Sequence, residues 1–272
     1  MAGGELAVLA LIGLFAGLIG GLLGIGGSII MIPAMTEVLG PDQHLYQAAA
    51  MIVNFFVVVP AVIQHVRARA IAWGTVARLL PIGAAAVIGG VAISELRFFA
   101  GSGEAYLRGL FGLFLLLISV SDLYRLFRSE PAASCEESVR RPGWRFAAAI
   151  AVPAGLVAGL LGVGGGILAV PLQRRFLAVP IRQAIANSAA LIIATSLIGA
   201  TCKNYAYVVH HEGSLRSFGL AAVLIPTAAV GSWIGSRLTH TLPRRTVRTA
   251  FLIVLLVAAV RLIYHAALAV PK

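Results

Sequence analysis

Residues 21–35 read GLLGIGGSIIMIPAM and residues 159–173 read GLLGVGGGILAVPLQ. Set against each other at a constant offset of 138, residues 16–33 and 154–171 share 11 identities in 18 positions, with Gly24, Gly26 and Gly27 on Gly162, Gly164 and Gly165. Self-similarity at a fixed spacing means that one structural unit has been written twice. Weaker echoes follow each copy in the same order: Gln47-Ala48 with Gln183-Ala184, Pro81 with Pro226, and the stretch from Arg108 to Phe111 with that from Arg248 to Phe251.

The surroundings of the repeat set its solvent. Of the 272 residues, 60% are hydrophobic and 11% charged, and mean hydropathy is +0.96. Such a chain cannot cover itself with a water-compatible surface, and apolar stretches of about 20 residues match a hydrocarbon core about 30 Å thick. The opening MAGGELAVLALIGLFAGLIGGLLG lacks a basic n-region and is apolar for longer than a leader's core, so it reads as a first membrane segment. A formal charge of +11 raises the question of nucleic acid, but the basic residues sit in short clusters between apolar runs and form no continuous stripe. Cys135 and Cys202 are the two cysteines, too few and too differently placed for a disulfide framework or a thiolate metal site.

Each half carries the same plan of five segments, near 5–24, 27–39, 45–66, 75–94 and 106–127, then near 145–162, 165–178, 183–205, 217–237 and 247–268. Between the halves, SEPAASCEESVRRPGWR is an extended polar stretch with the composition of an exposed linker. The expectation is an all-α integral membrane protein in three parts: a transmembrane repeat over 1–127, a cytoplasmic linker over 128–144 and a second repeat over 145–272.

The second segment of each half, about 13 residues long, would span only about 20 Å as a helix. It must begin or end inside the membrane, either as one arm of a re-entrant hairpin or as half of a broken crossing. The positive-inside rule favours the hairpin. In that arrangement one face receives Arg67, Arg69 and Arg78, then Arg125, Arg128, Arg140, Arg141 and Arg145, then Arg174, Arg175 and Arg182, and finally Arg237, Arg244, Arg245 and Arg248. These are 15 of the 21 Lys and Arg residues. Each half then crosses an odd number of times, which makes the two halves inverted repeats. Two full crossings by the first two segments would keep the same parity, and charge alone does not separate that variant.

Gly24-x-Gly26 resembles the start of a dinucleotide fingerprint, but Ile29 and Ile167 occupy the third glycine position and no acidic residue stands about 20 positions on. Helix packing accounts for the upstream spacings Gly13-x-x-x-Gly17, Gly17-x-x-x-Gly21 and Gly155-x-x-x-Gly159. It does not account for Gly26-Gly27 or for Gly164-Gly165-Gly166, where consecutive glycines favour a non-helical turn at the start of the short segment. Backbone unwound at that depth has to be buried or line a polar cavity. The amides that begin each short helix present a positive dipole end that favours an anion, and Ser28 adds a hydroxyl in the first copy. Pro33 and Pro171 lie inside the short helices, where each removes a hydrogen-bond donor. Inverted repeats bring two such turns together near the midplane, a recurring place for transporter sites. The candidate substrate-binding residues are therefore Gly24, Gly26, Gly27, Ser28, Gly162, Gly164, Gly165 and Gly166.

Polar side chains within the long helices are few: Asn54, His65, Asn187, Ser188, Thr195, Ser196 and Thr201, with Gln47 and Gln183 at matching helix starts. Singly, each suits a hydrogen bond between helices; as a group they suit a pathway. Asn187 and Ser188 are assigned to the binding site, and Asn54, His65 and Thr201 to the pathway. With Gln47 laid on Gln183, an offset of 136, Arg67 falls on Lys203, and these two become candidate gates at opposite faces. No Asp or Glu lies near the centre of a segment, so no carboxylate proton relay is visible. Membrane potential could drive anion export without one. Neither Gly-x-Ser-Gly nor His-Glu-x-x-His occurs, and His210-His211-Glu212 has no second ligand set nearby. No catalytic residue, metal or cofactor is expected. The expected partners are a small anion, the lipid bilayer and a second copy of the chain in a homodimer, with nucleic acid excluded.

Two copies of G-x-G-G followed four residues later by (V/I)-P, each opening a half of several membrane helices, resemble the sulfite exporter TauE/SafE family of permeases. The glycines at 24, 26, 27, 162, 164, 165 and 166, with Pro33 and Pro171, carry the resemblance, which extends over essentially the whole chain. It implies a multi-pass inner-membrane transporter of sulfite, sulfonates or related small anions, with export favoured. A channel or uptake carrier for another small solute is the competing expectation, and an intramembrane enzyme or a structural scaffold stands further off.

Overall fold

The computed structural model describes residues 3–127, 143–210, 214–238 and 244–269. The linker residues 128–142, Cys135 among them, and the pair His211-Glu212 lie outside the described residues. The described residues form ten α-helices in two runs of five. The first run is α1 Gly3–Leu23, α2 Ser28–Leu39, α3 Gln43–Arg67, α4 Trp73–Ser94 and α5 Glu104–Phe127; the second is α6 Trp144–Leu161, α7 Gly166–Leu177, α8 Ile181–His210, α9 Arg216–Leu238 and α10 Arg244–Ala269. Two 3-10 turns, Arg97–Phe99 and Gly101–Gly103, join α4 to α5. Eight of the ten helices are long and apolar enough to cross a membrane, and the exceptions are α2 and α7. At 12 residues each, these two reach about 18 Å. The segments read from sequence are all present, with α8 running five residues further than expected, to His210.

Local chemistry sets several of the boundaries. α3 begins where the Asp42 carboxylate accepts the Leu45 N–H at 3.1 Å, an N-cap. α6 ends at Gly162, whose left-handed backbone (φ 75) lets its N–H return to the Ala158 carbonyl at 2.9 Å. Gly24 (φ 66) closes α1 in the same way on Gly20, also at 2.9 Å.

After each of these stops the chain folds back. A β-carbon on Gly27 would lie 3.2 Å from the Ala16 carbonyl oxygen, and one on Gly165 would lie 2.8 Å from that of Ala154. Each turn thus returns alongside the helix that preceded it, about two turns of helix from that helix's end. The short helices are arms of hairpins, the arrangement that the distribution of basic residues favours, and not halves of a broken crossing.

Helices from the two runs pair in an exchanged pattern: α1 on α9, α6 on α4, α3 on α8 and α5 on α10. The first two seams are made by glycine. Gly13, Gly17 and Gly21 of α1 lie against Leu224 and Thr227, then Ala228, then Ser232 of α9. Gly155 and Gly159 of α6 lie against Gly83 and Ala86, then Val87 and Gly90, of α4. The contacts ascend together, so each pair runs parallel. Backbones can approach this closely only where both surfaces are small, which is how helices associate when lipid removes the hydrophobic drive between them. At Gly17 a β-carbon would overlap the Ala228 carbonyl, a backbone group that cannot step aside. Gly17→Leu should therefore force α1 off α9, costing about 3 kcal/mol or more. The readout is a lower unfolding temperature and a smaller monodisperse fraction in detergent; wild-type stability would show that the seam can open without cost.

The ends of the helices sort by charge. Gln64 of α3 donates to Ser236 of α9 at 2.8 Å, and the Ala72 N–H before α4 donates to Asn187 near the start of α8 at 2.8 Å. This end carries Arg67, Arg69, Arg182 and Arg237, the last stacked 3.7 Å over the Trp233 ring. The start of α3, the end of α4 and the last turns of α8 share the other end through His44, Glu95 and Lys203.

Candidate functional site

The two glycine turns meet at one side chain. Asn54, eleven residues into α3 and fully buried, accepts the N–H groups of Gly27 and Ser28 on Oδ1 at 2.9 and 3.1 Å, and its Nδ2 donates to Ser28 Oγ at 2.8 Å. The start of α2 is thereby capped from another helix, satisfying two of the donors that any helix start leaves open. The amides expected from sequence to receive an anion at the first turn are, at Gly27 and Ser28, already bonded to this carboxamide.

Asn54 also faces the second turn. A β-carbon on Gly26 (φ 84) would lie 2.9 Å from Asn54 Oδ1, and one on Gly164 (φ 74) would lie 3.2 Å from Asn54 Nδ2 and 3.4 Å from Ser196 Oγ. Glycine is required at both positions twice over, by the left-handed backbone and by the space. A β-carbon on Gly166 would stand 3.4 Å from the Gly24 carbonyl oxygen, so the turns also abut each other. The Thr195 hydroxyl donates to the Gly164 carbonyl at 3.0 Å, while sharing its proton with Leu191 and Ile192 of its own helix. Gln47 Nε2 holds the Leu160 carbonyl at the end of α6 at 3.2 Å. Ser196 Oγ and Gln47 Oε1 are buried without a hydrogen-bond partner.

These contacts correct the register of α3 on α8. Gly24 meets Ile185 and Gly162 meets Gln47, while Gly26 meets Asn54 and Gly164 meets Ile192. Both comparisons keep the offset of 138, so Gln47 corresponds to Ile185 and Asn54 to Ile192. The Gln47–Gln183 match at 136 is a coincidence of two residues. Lys203 consequently stands in register with His65, and Arg67 with Tyr205.

The remaining candidates disperse. Asn187 and Ser188 are fully buried on α8 but are bonded to Gln173 of α7: Asn187 Nδ2 donates to Gln173 Oε1 at 3.0 Å, and Gln173 Nε2 donates to Ser188 Oγ at 2.9 Å. Asn187 Oδ1 accepts the Ala72 N–H. They tie α7 and the approach to α4 onto α8. Thr201 is exposed and donates to Leu197 of its own helix at 2.9 Å, away from the turns. His65 is half-buried and Arg67 exposed near the end of α3, the disposition of side chains that reach for an interface.

Lys203 is fully buried and engaged. Its Nζ donates to Glu95 Oε1 and Ser94 Oγ at 2.7 Å each and lies 3.0 Å from His44 Nδ1. His44 Nδ1 lies 3.3 Å from Glu95 Oε1, and His210 Nδ1 lies 3.4 Å from Glu95 Oε2. Burial opposes ionisation of Glu95, but the hydrogen bond from His44 and the charge and hydrogen bond of Lys203 outweigh it, bringing its pKa down to about 2. The gate expected from a lone lysine is a closed ion pair binding α8 to α3 and α4. Sequence reading missed Glu95 because it follows α4 in SELR, where it looks like a loop residue, and missed Gln173 because QRR reads as a basic helix end.

The family model for the sulfite exporter TauE/SafE matches residues 9–262. The chain is 27% identical to the "Probable membrane transporter protein MamO" of Paramagnetospirillum magneticum, over 91% of this chain and 42% of that protein. It is 25% identical to the "Probable membrane transporter protein YunE" of Bacillus subtilis, over 95% of this chain and 97% of that protein. It thus spans less than half the length of MamO and nearly the whole of YunE. No solved structure matches.

Proposed function

The chain belongs to the sulfite exporter TauE/SafE family of membrane proteins, and we propose that it carries small sulfur-bearing anions, such as sulfite or organosulfonates, out of the cell through a site at its two glycine turns. The observation that supports this most is the meeting of both turns on the buried carboxamide of Asn54, halfway along a membrane helix, beside an unpartnered Ser196 hydroxyl. Neutral donors fixed in a dry interior bind an anion without having to reorganise for it.

The proposal takes the halves as inverted repeats, with the arginine-rich end and the linker in the cytoplasm. The parallel seams α1–α9 and α4–α6 favour that reading, because α9 ends and α4 begins at the arginine-rich end. One hairpin then enters from outside and the other from the cytoplasm, and their tips meet between. A cell interior negative by about 100 mV favours exit of a monovalent anion by about 2.3 kcal/mol, so no coupled proton is needed.

Gly26→Leu and Gly164→Leu test the role of the turns. Each should insert into the membrane and lose more than nine-tenths of its anion flux in proteoliposomes, because the new side chain must displace Asn54. Wild-type flux in both would show the turns to be dispensable, and selective flux of an uncharged solute would favour a carrier of another kind.

A further inference from the structure

The two turns are not equivalent, and their difference bears on the charge of the anion that the proposed site accepts. At the first turn Asn54 caps α2. At the second, the residue in register with Asn54 is Ile192, whose apolar side chain packs on Gly164 and Gly166 and has nothing to offer an amide. Ser28, which completes the first cap, is replaced by Gly166. Among the described residues no side chain caps the start of α7. Thr195 donates its hydroxyl to the Gly164 carbonyl, but the neighbouring Ser196 Oγ, also beside that turn, is fully buried and has no partner. Asn54 Nδ2 carries two protons and has committed one to Ser28, and it lies 3.2 Å from where a β-carbon on Gly164 would stand.

From this asymmetry, and resting on the transport reading above, we infer that the anion is held at the start of α7 alone, between Ser196 Oγ, the second Asn54 N–H and the amides of Gly165 and Gly166, and that this site selects monoanions over dianions. The selection follows from how two opposing quantities scale with charge. The idealised cost of moving an ion out of water rises with the square of its charge, so a dianion costs about four times as much as a monoanion of equal size. The attraction to neutral donors rises only in proportion, and one helix start supplies roughly half a unit of positive charge. A nearby cation could redress the balance. Among the described residues the buried cationic side chains are Lys203 and Arg108. Lys203 is paired with Glu95, and Arg108 lies one turn into α5 from Glu104, at the end of the molecule where α3 begins. Neither is at the turns. Monovalent sulfonates and hydrogensulfite have the charge the site can hold, whereas sulfate and fully ionised sulfite carry one charge too many.

Calorimetric titration of the purified full-length protein with methanesulfonate and with sulfate tests the inference. Methanesulfonate should bind at least about tenfold more tightly than sulfate. Sulfite affinity should fall as the pH is raised through its second ionisation, while methanesulfonate affinity stays level. Ser196→Ala removes one hydrogen bond to a charged ligand and should weaken methanesulfonate about tenfold or more, whereas Thr201→Ala, on the exposed side of the same helix, should leave it unchanged. Unfolding temperatures of both variants report whether they remain folded. Sulfate binding as tightly as methanesulfonate would overturn the charge selection and leave the transport reading intact. Full methanesulfonate affinity in folded Ser196→Ala would overturn the placement at α7. Failure of every anion to bind or to cross proteoliposome membranes would instead bring down the transport reading itself.

Discussion

Asn54→Asp should abolish anion flux in a protein that still folds. Aspartate has the shape of asparagine and keeps an acceptor where Gly27 and Ser28 donate, so the cap on α2 survives. The positive end of that helix favours the new charge. What changes is the other side of the group, where the N–H facing Gly164 becomes a negative oxygen. A like charge about 4 Å from a bound anion costs about 4 kcal/mol at an effective dielectric near 20, about a thousandfold in affinity. Asn54→Leu should lose flux as well, but for a second reason: the two capped amides are left without acceptors, at about 1–3 kcal/mol each, and the protein unfolds at a lower temperature. Flux assays alongside thermal unfolding separate the two effects. Undiminished flux through Asn54→Asp would mean that the anion never passes this residue.

Glu95→Ala should be the most destabilising change at the far end of the molecule. Lys203 is fully buried, and Glu95 is the anion that holds its charge there. Breaking such a pair by removing one partner typically costs about 3–5 kcal/mol, because the surviving charge stays out of water. On the scale of soluble domains of this size, that is a fall of roughly 10 °C in unfolding temperature. The double variant Glu95→Ala, Lys203→Met should recover most of the loss, since no charge is stranded. The pair also has a pH signature. The Glu95 carboxyl is held at about 2, below its ordinary value of 4.5. Its contribution to stability is therefore complete above the ordinary value and disappears as the pH falls through about 2. A single variant as stable as the double would show that Lys203 finds another partner or reaches water.

The plan of the fold was legible because hydrophobic runs and glycine spacing are local features. The doubled phrase at 21–35 and 159–173 marked the two hairpins, and the apolar runs located all ten helices. The G-x-x-x-G spacings named the faces that meet α9 and α4, though not which helices they would meet. Side-chain partners on different helices were not legible. Nothing near Lys203 points to Glu95, 108 residues away, and nothing near Asn187 points to Gln173 on a helix whose other polar residues are the arginines 174 and 175. Asn54 was visible as a polar residue in an apolar helix, but its function as a cap for α2 depends on where α2 begins in space. Gln47 and Gln183 are identical but two positions out of step, whereas the unlike residues that contact the glycines keep the true register. Identity marks descent more faithfully where backbone geometry demands a residue, as at Gly26 and Gly164, than where a side chain is free to drift.

The most direct test is flux of labelled sulfite into and out of proteoliposomes containing the purified protein. Flux that saturates, is competed by unlabelled sulfite and sulfonates, responds to membrane potential and disappears in Asn54→Asp is the predicted result. Flux that is absent, or that is indifferent to every competing anion and to Asn54→Asp, would contradict the account.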